Sequence, residues 1–424
     1  MAAIKEIGYF NSIFVKSFDY SSNASNKYHI EENRIKGGFN NTQMDQGVRA
    51  YAVNDDYTVI NRKNAMIYSG IYNSKTGVNE LNQFPIGANI TKAVDITDGS
   101  IQKLHAEDRE LFILQEDKVN AAGINKDFIF TAEGQPLSTA SNIVIGQVRT
   151  YLGKYGISLN PESFAIKGNR KYFTDRKRGV VLRLTRDGLT EISNYGMHDY
   201  FKDNLKNNTK LVGLYDNVKD QYILHLKDSA KTIAYDENSR GWTSFYTYYP
   251  EAGFTLNNTF YTFYQSNIYE HHSTSGSYNT FYGLSSNAST ISLIVNTDAS
   301  TVKNFKTLGY EGTSGWYANN IKTDADNNNS SDTAENISKY QYDYGYDSNN
   351  DLISILPSMF SKKENKYFSI LQNKSSAPGE NEILFGHEHI SGIKGMYMDV
   401  TLNTTENSKQ ELFAVSSEVA QSSK

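Results

Sequence analysis

The stretch ESFAIKGNRKYFTDRKRGVVLRLTRDGLTEIS, residues 162–193, decides the fold class. Within it SFAIKG (163–168), KYFTD (171–175), VVLRLT (180–185) and LTEIS (189–193) are set apart by Gly168-Asn169, by Asp175 through Gly179 and by Asp187-Gly188. Short runs rich in β-branched and aromatic residues and bounded by turn formers read as strands. Asp-Gly between two such runs is the strongest short hairpin signal. Four strands joined in succession by tight turns make an antiparallel meander.

Outward from this meander the pattern recurs. LVGLYD (211–216), QYILHL (221–226), KTIAYD (231–236) and WTSFYTYY (242–249) form a second unit; TFYTFYQ (259–265) and NIYEHH (267–272) form a shorter third. KLHAEDRELFILQEDKVNAAGI (103–124) reads as part of an earlier unit. A recurrence of roughly 40–50 residues is the spacing of propeller blades, with an ordinary antiparallel sandwich as the alternative. Residues 1–100 hold scattered strands such as AMIYSGIY (65–72), and residues 324–350 are rich in Asn, Asp, Ser and Tyr, as in a long polar loop. Strands resume with YFSIL (367–371), EILFG (382–386), MYMDVTL (396–402) and ELFAVSS (411–417). The expected fold is all-β and mainly antiparallel, a propeller-like β-meander central region with flanking β regions and little helix. The one helix candidate is 198–205. Three regions follow: an N-terminal β region (1–100), the central meanders (101–310), and a C-terminal β region (311–424) interrupted by the polar loop at 324–350.

Composition narrows function. Hydrophobic residues are 38% of the chain by a count that includes its 31 Tyr, against about 45–50% in average globular chains by a count that includes Gly instead. Since Gly numbers 30, the two counts are comparable, and the chain is poor in aliphatic residues while rich in Tyr and Phe. Tyrosine buries a ring and keeps a wet tip, which suits half-buried strands and interfaces. A net charge of -5 is not the field of a general nucleic-acid binder. With no cysteine, disulfides, thiolate zinc sites and cysteine nucleophiles are excluded. The first residues lack the apolar core of a signal peptide, and no apolar run reaches the ~18–20 residues of a membrane helix, so no membrane insertion is expected.

Motifs for chemistry are few. Asp324, Asp326, Asn328, Ser330, Asp332 and Glu335 have the spacing of a calcium loop. However, Asn329 stands where that loop needs Gly, Ser331 stands where an apolar residue packs, and helical flanks are missing. A solvated polar loop is the better account, and no metal is expected. His387-Glu388-His389 would place two imidazoles on one strand face, and His271-His272 would split across a strand; neither has a completing ligand at a readable spacing. Arg170, Lys171, Arg176, Lys177, Arg178, Arg183 and Arg186 cluster around Tyr172 and Phe173. A charged hairpin tip or a polar rim contact accounts for them better than sequence-specific nucleic acid. There is no G-x-S-x-G elbow, G-x-G-x-x-G or P-loop, and no pair of carboxylates is singled out for glycoside cleavage. The expectation is a non-enzyme without cofactor.

Several phrases, taken together, resemble a family of virion structural proteins of tailed phages, known in crAss-like phages as tail stabilisation or muzzle proteins and found also in marine cyanophages. They are IEENRIKGGFNN (30–41), AMIYSGIYNSKTGVN (65–79), DGSIQKLHAEDRELFILQEDKV (98–119), the long YGISLNPESFAIKGNRKYFTDRKRGVVLRLTRDGLTEISNYGM (155–197) and DENSRGWTSFYTYYPE (236–251). KNFKTLGYEG (303–312), KKENKYFSIL (362–371), ISGIKGMY (390–397) and ELFAVSSEV (411–419) continue the pattern to the C-terminal end. The resemblance implies a virion subunit at the tail nozzle, hub or baseplate, made in the host cytoplasm, that forms a homo-oligomer and binds other tail proteins, with no catalytic residue carried over. Trp242 with Phe245 and Tyr246, and Trp316 with Tyr317, are the candidate interface anchors, intrachain core being the alternative for Trp242. The competing class is a β module that binds host-surface glycan on tyrosine platforms such as Phe245-Tyr246-Tyr248-Tyr249 and Phe260-Tyr261-Phe263-Tyr264.

Overall fold

The computed structural model describes residues 12–17, 27–32, 61–70, 72–79, 81, 90–130, 136–273, 275–284, 287–324, 360–373 and 390–422. It is built almost wholly of antiparallel sheets, and the chain divides into two compact units, Met1–Ile268 and Tyr269–Lys424. No described helix is long and apolar enough to cross a membrane. The expected strand at 382–386 and the His387-Glu388-His389 triplet lie outside the described residues.

In the first unit the expected meanders form in sequence order. The first comprises Ile101–Glu107, Glu110–Gln115, Val119–Phe130 and Pro136–Thr150; the second Ala165–Lys167, Arg170–Asp175, Val180–Thr185 and Gly188–Glu191. The third comprises Leu211–Asp216, Gln221–Leu226, Lys231–Asp236 and Gly241–Tyr246. The helix His198–Asn204 joins the second meander to the third. A three-stranded sheet follows, Ala252–Leu256, Thr259–Tyr264 and Asn267–Glu270. Its first strand went unread because AGFTL is short and carries a glycine, which weakens a strand pattern.

The sheets stack because their strands are apolar on both faces, and an alternating backbone must bury each face separately. In the second meander Phe173, Val180, Leu182 and Leu184 pack on Phe112, Leu114, Val119 and Ala121 of the first. Its opposite face, with Tyr172 and Val181, packs on Leu211, Tyr215, Tyr222, Leu224 and Tyr235 of the third, with Phe201 of the helix alongside. Tyr172 stacks between sheets on Tyr222 at 5.0 Å and near Tyr215 at 5.5 Å. Three of these phenols have a polar partner: Tyr172 donates to Glu237 at 2.6 Å, Tyr222 to the Ser163 carbonyl at 2.9 Å, and Tyr215 to Asp220 at 2.9 Å, whereas the buried Tyr235 hydroxyl has no partner among the described residues. Burial pushes all three phenols well above the ordinary tyrosine range, so they are donors across the working pH range.

Alternate turns of a meander lie at the same end of the sheet. At the end holding the 115–119, 175–180 and 226–231 turns, charge is paired between sheets. Asp175, fully buried, accepts from Ser158 Oγ (2.9 Å), the Gly156 N–H (3.2 Å), the Arg178 N–H (3.2 Å) and Arg178 Nη1 (2.8 Å). Arg178 also reaches Asp117 at 3.2 Å, and Lys177 bridges Glu116 and Asp117 at 3.1 and 2.9 Å. The 176–178 tip is therefore fastened to the first meander, so most of its charge is spent within the chain.

The second unit pairs strands far apart in sequence. Met398–Thr404 lies between Ser289–Val295 and Tyr317–Thr323. Lys303–Phe305 lies between Ile393–Gly395 and Val419–Gln421. A four-stranded sheet runs Ser361–Lys363, Lys366–Ile370, Thr307–Gly312, Leu412–Ser416. Its core gathers Phe305, Leu308, Tyr310, Trp316, Met398, Val400 and Leu402.

Two predictions follow from the stack. At Gly213 an added Cβ would overlap the Ser163 carbonyl oxygen and crowd the Tyr222 hydroxyl; Gly213→Ala is expected to cost about 1–3 kcal/mol by overpacking in urea unfolding, whereas Gly168→Ala at an open turn should show only the strain of its positive φ. Secondly, hydrogen bonds from Ser100, with help from Lys177, hold the Glu116 carboxyl down to about 2 from 4.5. A carboxyl depressed in the folded state contributes its full stability above pH 4.5 and loses it as pH falls toward 2. Glu116→Gln should lower stability at pH 7 and flatten its decline between pH 4.5 and 3, as read by denaturant midpoints.

Candidate assembly surface

The opposite end of the stack carries the 107–110, 167–170, 185–188 and 236–241 turns. Here two adjoining clefts share Asn169, Thr185 and Arg186. The smaller, about 270 Å³, lies between the first and second meanders. At its base Lys171, almost wholly buried, pairs with Glu107 and sits 4.1 Å above the Phe112 ring. Arg149 closes its side through Glu110 at 3.0 Å. Its charges are thus matched inside the cleft.

The larger, about 560 Å³, opens between the second and third meanders and is lined by Arg170, Arg183, Arg186 and Arg240 against Glu237 and Asp187. Glu237 is already engaged: its carboxylate accepts from Tyr172 on one oxygen and from Arg183 Nη1 on the other, both at 2.6 Å. Burial opposes the charge on Arg170, but Glu237 and Tyr172 outweigh it and raise its pKa. Arg186 and Arg240 are exposed and form no salt bridge with a described residue. Beneath the cleft, burial and then Glu237 push the Tyr235 phenol up to about 12. No described histidine lines either cleft, and the Glu237 carboxylate of the larger is capped. The arrangement suits holding an anionic partner rather than moving a proton.

The sequence-predicted anchors fall into different settings. Trp242 is half-buried, donates from its indole N–H to the Ile192 carbonyl at 2.9 Å and packs on Phe201 and Tyr235, fastening the edge of the third meander to the second. Phe245 on the same strand is 56% exposed, with an edge contact to Tyr200. Tyr246 donates to Gln221 at 2.9 Å and stacks on Tyr248, which is buried. In the other unit Trp316 is a core residue, 7% exposed, with its N–H directed at the Glu411 carbonyl, and Tyr317 is half-buried. Of the calcium-loop residues only Asp324 is described: it accepts from the Met396 N–H at 2.6 Å. Asp326, Asn328, Asp332 and Glu335 lie outside the described residues. Among the described residues no cluster of three metal-ligating groups occurs. Of the tyrosine platforms, Phe260 is fully buried, whereas Tyr261 stacks on the partly exposed Phe254 at 5.3 Å. Arg240, distant in sequence from the 170–186 arginines, was missed; only the recurrence of a turn at the same meander position would have pointed to it.

No curated protein matches the chain. Among solved structures, a catalytically inactive virginiamycin B lyase from Staphylococcus aureus with quinupristin is similar at 14% identity over 42% of this chain and 72% of that one, with a TM-score of 0.23, too distant to bear on fold or function. Two family models match: "Crassvirus muzzle protein" over residues 86–267 and "Crassvirus muzzle protein C-terminal domain" over 276–374. Together they span roughly two thirds of the chain, and the seam between them coincides with the boundary between the two compact units at Ile268 and Tyr269. In sequence and in the order of its parts the chain belongs to the Crassvirus muzzle protein family, and is a structural, tail-related phage protein.

Proposed function

We propose that the chain is a non-enzymatic building block of the tail nozzle or hub that assembles with copies of itself and with other tail proteins. The observation that carries this reading is the match of both muzzle models, in order, to the two units. The stacked meanders supply a stiff body, since the second is buried on both faces, against the first and the third. Partner contacts fall to what that body exposes among the described residues: the Arg186 and Arg240 lip and Phe245. Gold-labelled antibody on purified virions, imaged by electron microscopy, is expected to mark the tail. Absence from virions by label and by mass spectrometry would sink the reading. In that event the exposed Phe254–Tyr261 pair favours a glycan-binding module, with retention on host-surface glycan as its sign.

Deleting residues 325–336, which spares Asp324 and its bond from the Met396 N–H, is expected to impair assembly while leaving the fold intact. Thermal melting and sedimentation of the deleted chain separate the two effects; loss of the folding transition would count against a contact role for this stretch.

A further inference from the structure

We infer that the arginine cleft between the second and third meanders receives the segment YQYDYGYDSNND, residues 340–351, of a second copy of this chain. The inference rests on the assembly reading and names its contact. Four arginines line the cleft, while of its two carboxylates Glu237 is consumed by Tyr172 and Arg183. What remains is a cationic lip on a chain whose net charge is -5. Arg186 and Arg240 stand at that lip exposed and without a salt bridge to a described residue, beside Tyr195, itself 40% exposed.

A guanidinium pairs side-on with a carboxylate and lays its face on an aromatic ring, so an arginine cleft selects a peptide that offers both. The segment 340–351 offers both in alternation. Tyrosines stand at 340, 342, 344 and 346, aspartates at 343, 347 and 351, and it contains no Lys or Arg. Complementary charge and repeated aromatic rings, carried by one chain on two separate parts, make a head-to-tail contact. Such a contact closes into a ring when the rotation between copies allows it. A nucleic-acid backbone would use the same arginines but would have no need of the tyrosines.

The test uses two full-length variants, one with Arg186→Glu and Arg240→Glu, the other with Asp343→Asn, Asp347→Asn and Asp351→Asn. Both arginines are exposed, so the fold is expected to survive, with circular dichroism and melting as the check. By light scattering after gel filtration, the unsubstituted chain should self-associate and each variant alone should not. A mixture of the two should associate, because one retains the cleft and the other the segment. A fluorescent peptide of residues 338–351 should bind a chain lacking 340–351, and the paired arginine substitutions should weaken that binding by roughly tenfold or more. The inference is overturned if the mixture stays monomeric, if the arginine substitutions leave peptide affinity unchanged, or if a peptide with serine in place of the tyrosines binds equally well. Virion labelling reads the assembly proposal separately: a labelled tail with a monomeric mixture removes the cleft assignment alone.

Discussion

The structure turns on one junction, the Glu237 carboxylate held between the Tyr172 hydroxyl and the Arg183 guanidinium. Tyr172 belongs to the second meander and Glu237 to the third, so the contact joins two sheets where both would otherwise bury an unpaired polar group. A buried donor or acceptor left alone costs about 1–3 kcal/mol, more when charged, so removing either partner would expose the other to that penalty. The apolar faces make stacking favourable; the polar junction fixes which residues meet. Tyrosine is suited to both tasks, because its ring fills the space between sheets while its hydroxyl reaches the edge. Tyr172, Tyr215 and Tyr222 are used in this way.

The two ends of the stack have opposite electrostatic character. At one end Asp175, Arg178, Lys177, Glu116 and Asp117 neutralise one another between sheets. At the other, a matched cleft adjoins one whose outer arginines form no salt bridge with a described residue. Exposed ion pairs each contribute little, but a network anchored on a fully buried carboxylate constrains geometry. A building block of a virion needs a body that does not deform and a surface that remains available. The division of charge between the two ends meets both needs.

Some of this was legible beforehand because its causes are local. Turn chemistry and alternation placed the strands of the second and third meanders to within three residues at their ends, and read the helix as 198–205 where it runs His198–Asn204. VVLRLT reads as a strand from its turns, but that both of its faces are covered emerges only in the structure. The second unit was less legible. Ser289–Val295 finds its partner only at Met398–Thr404, and no short-range signal encodes a pairing across such a separation.

The sequence by itself determined the class of fold, the rhythm of the meanders and the family, since each is written in contiguous residues: turn formers, alternating apolar runs and long shared phrases. Only the tertiary structure decided which charges are free. Along the chain, Arg170 through Arg186 form one basic cluster. A meander reverses direction at every turn, so it sends Lys177 and Arg178 to one end, where Glu116, Asp117 and Asp175 pair with them, and Arg170, Arg183 and Arg186 to the other, where Arg240 joins them. The fate of a charge depends on what the neighbouring sheet places opposite it, and that neighbour is set by stacking rather than by sequence proximity.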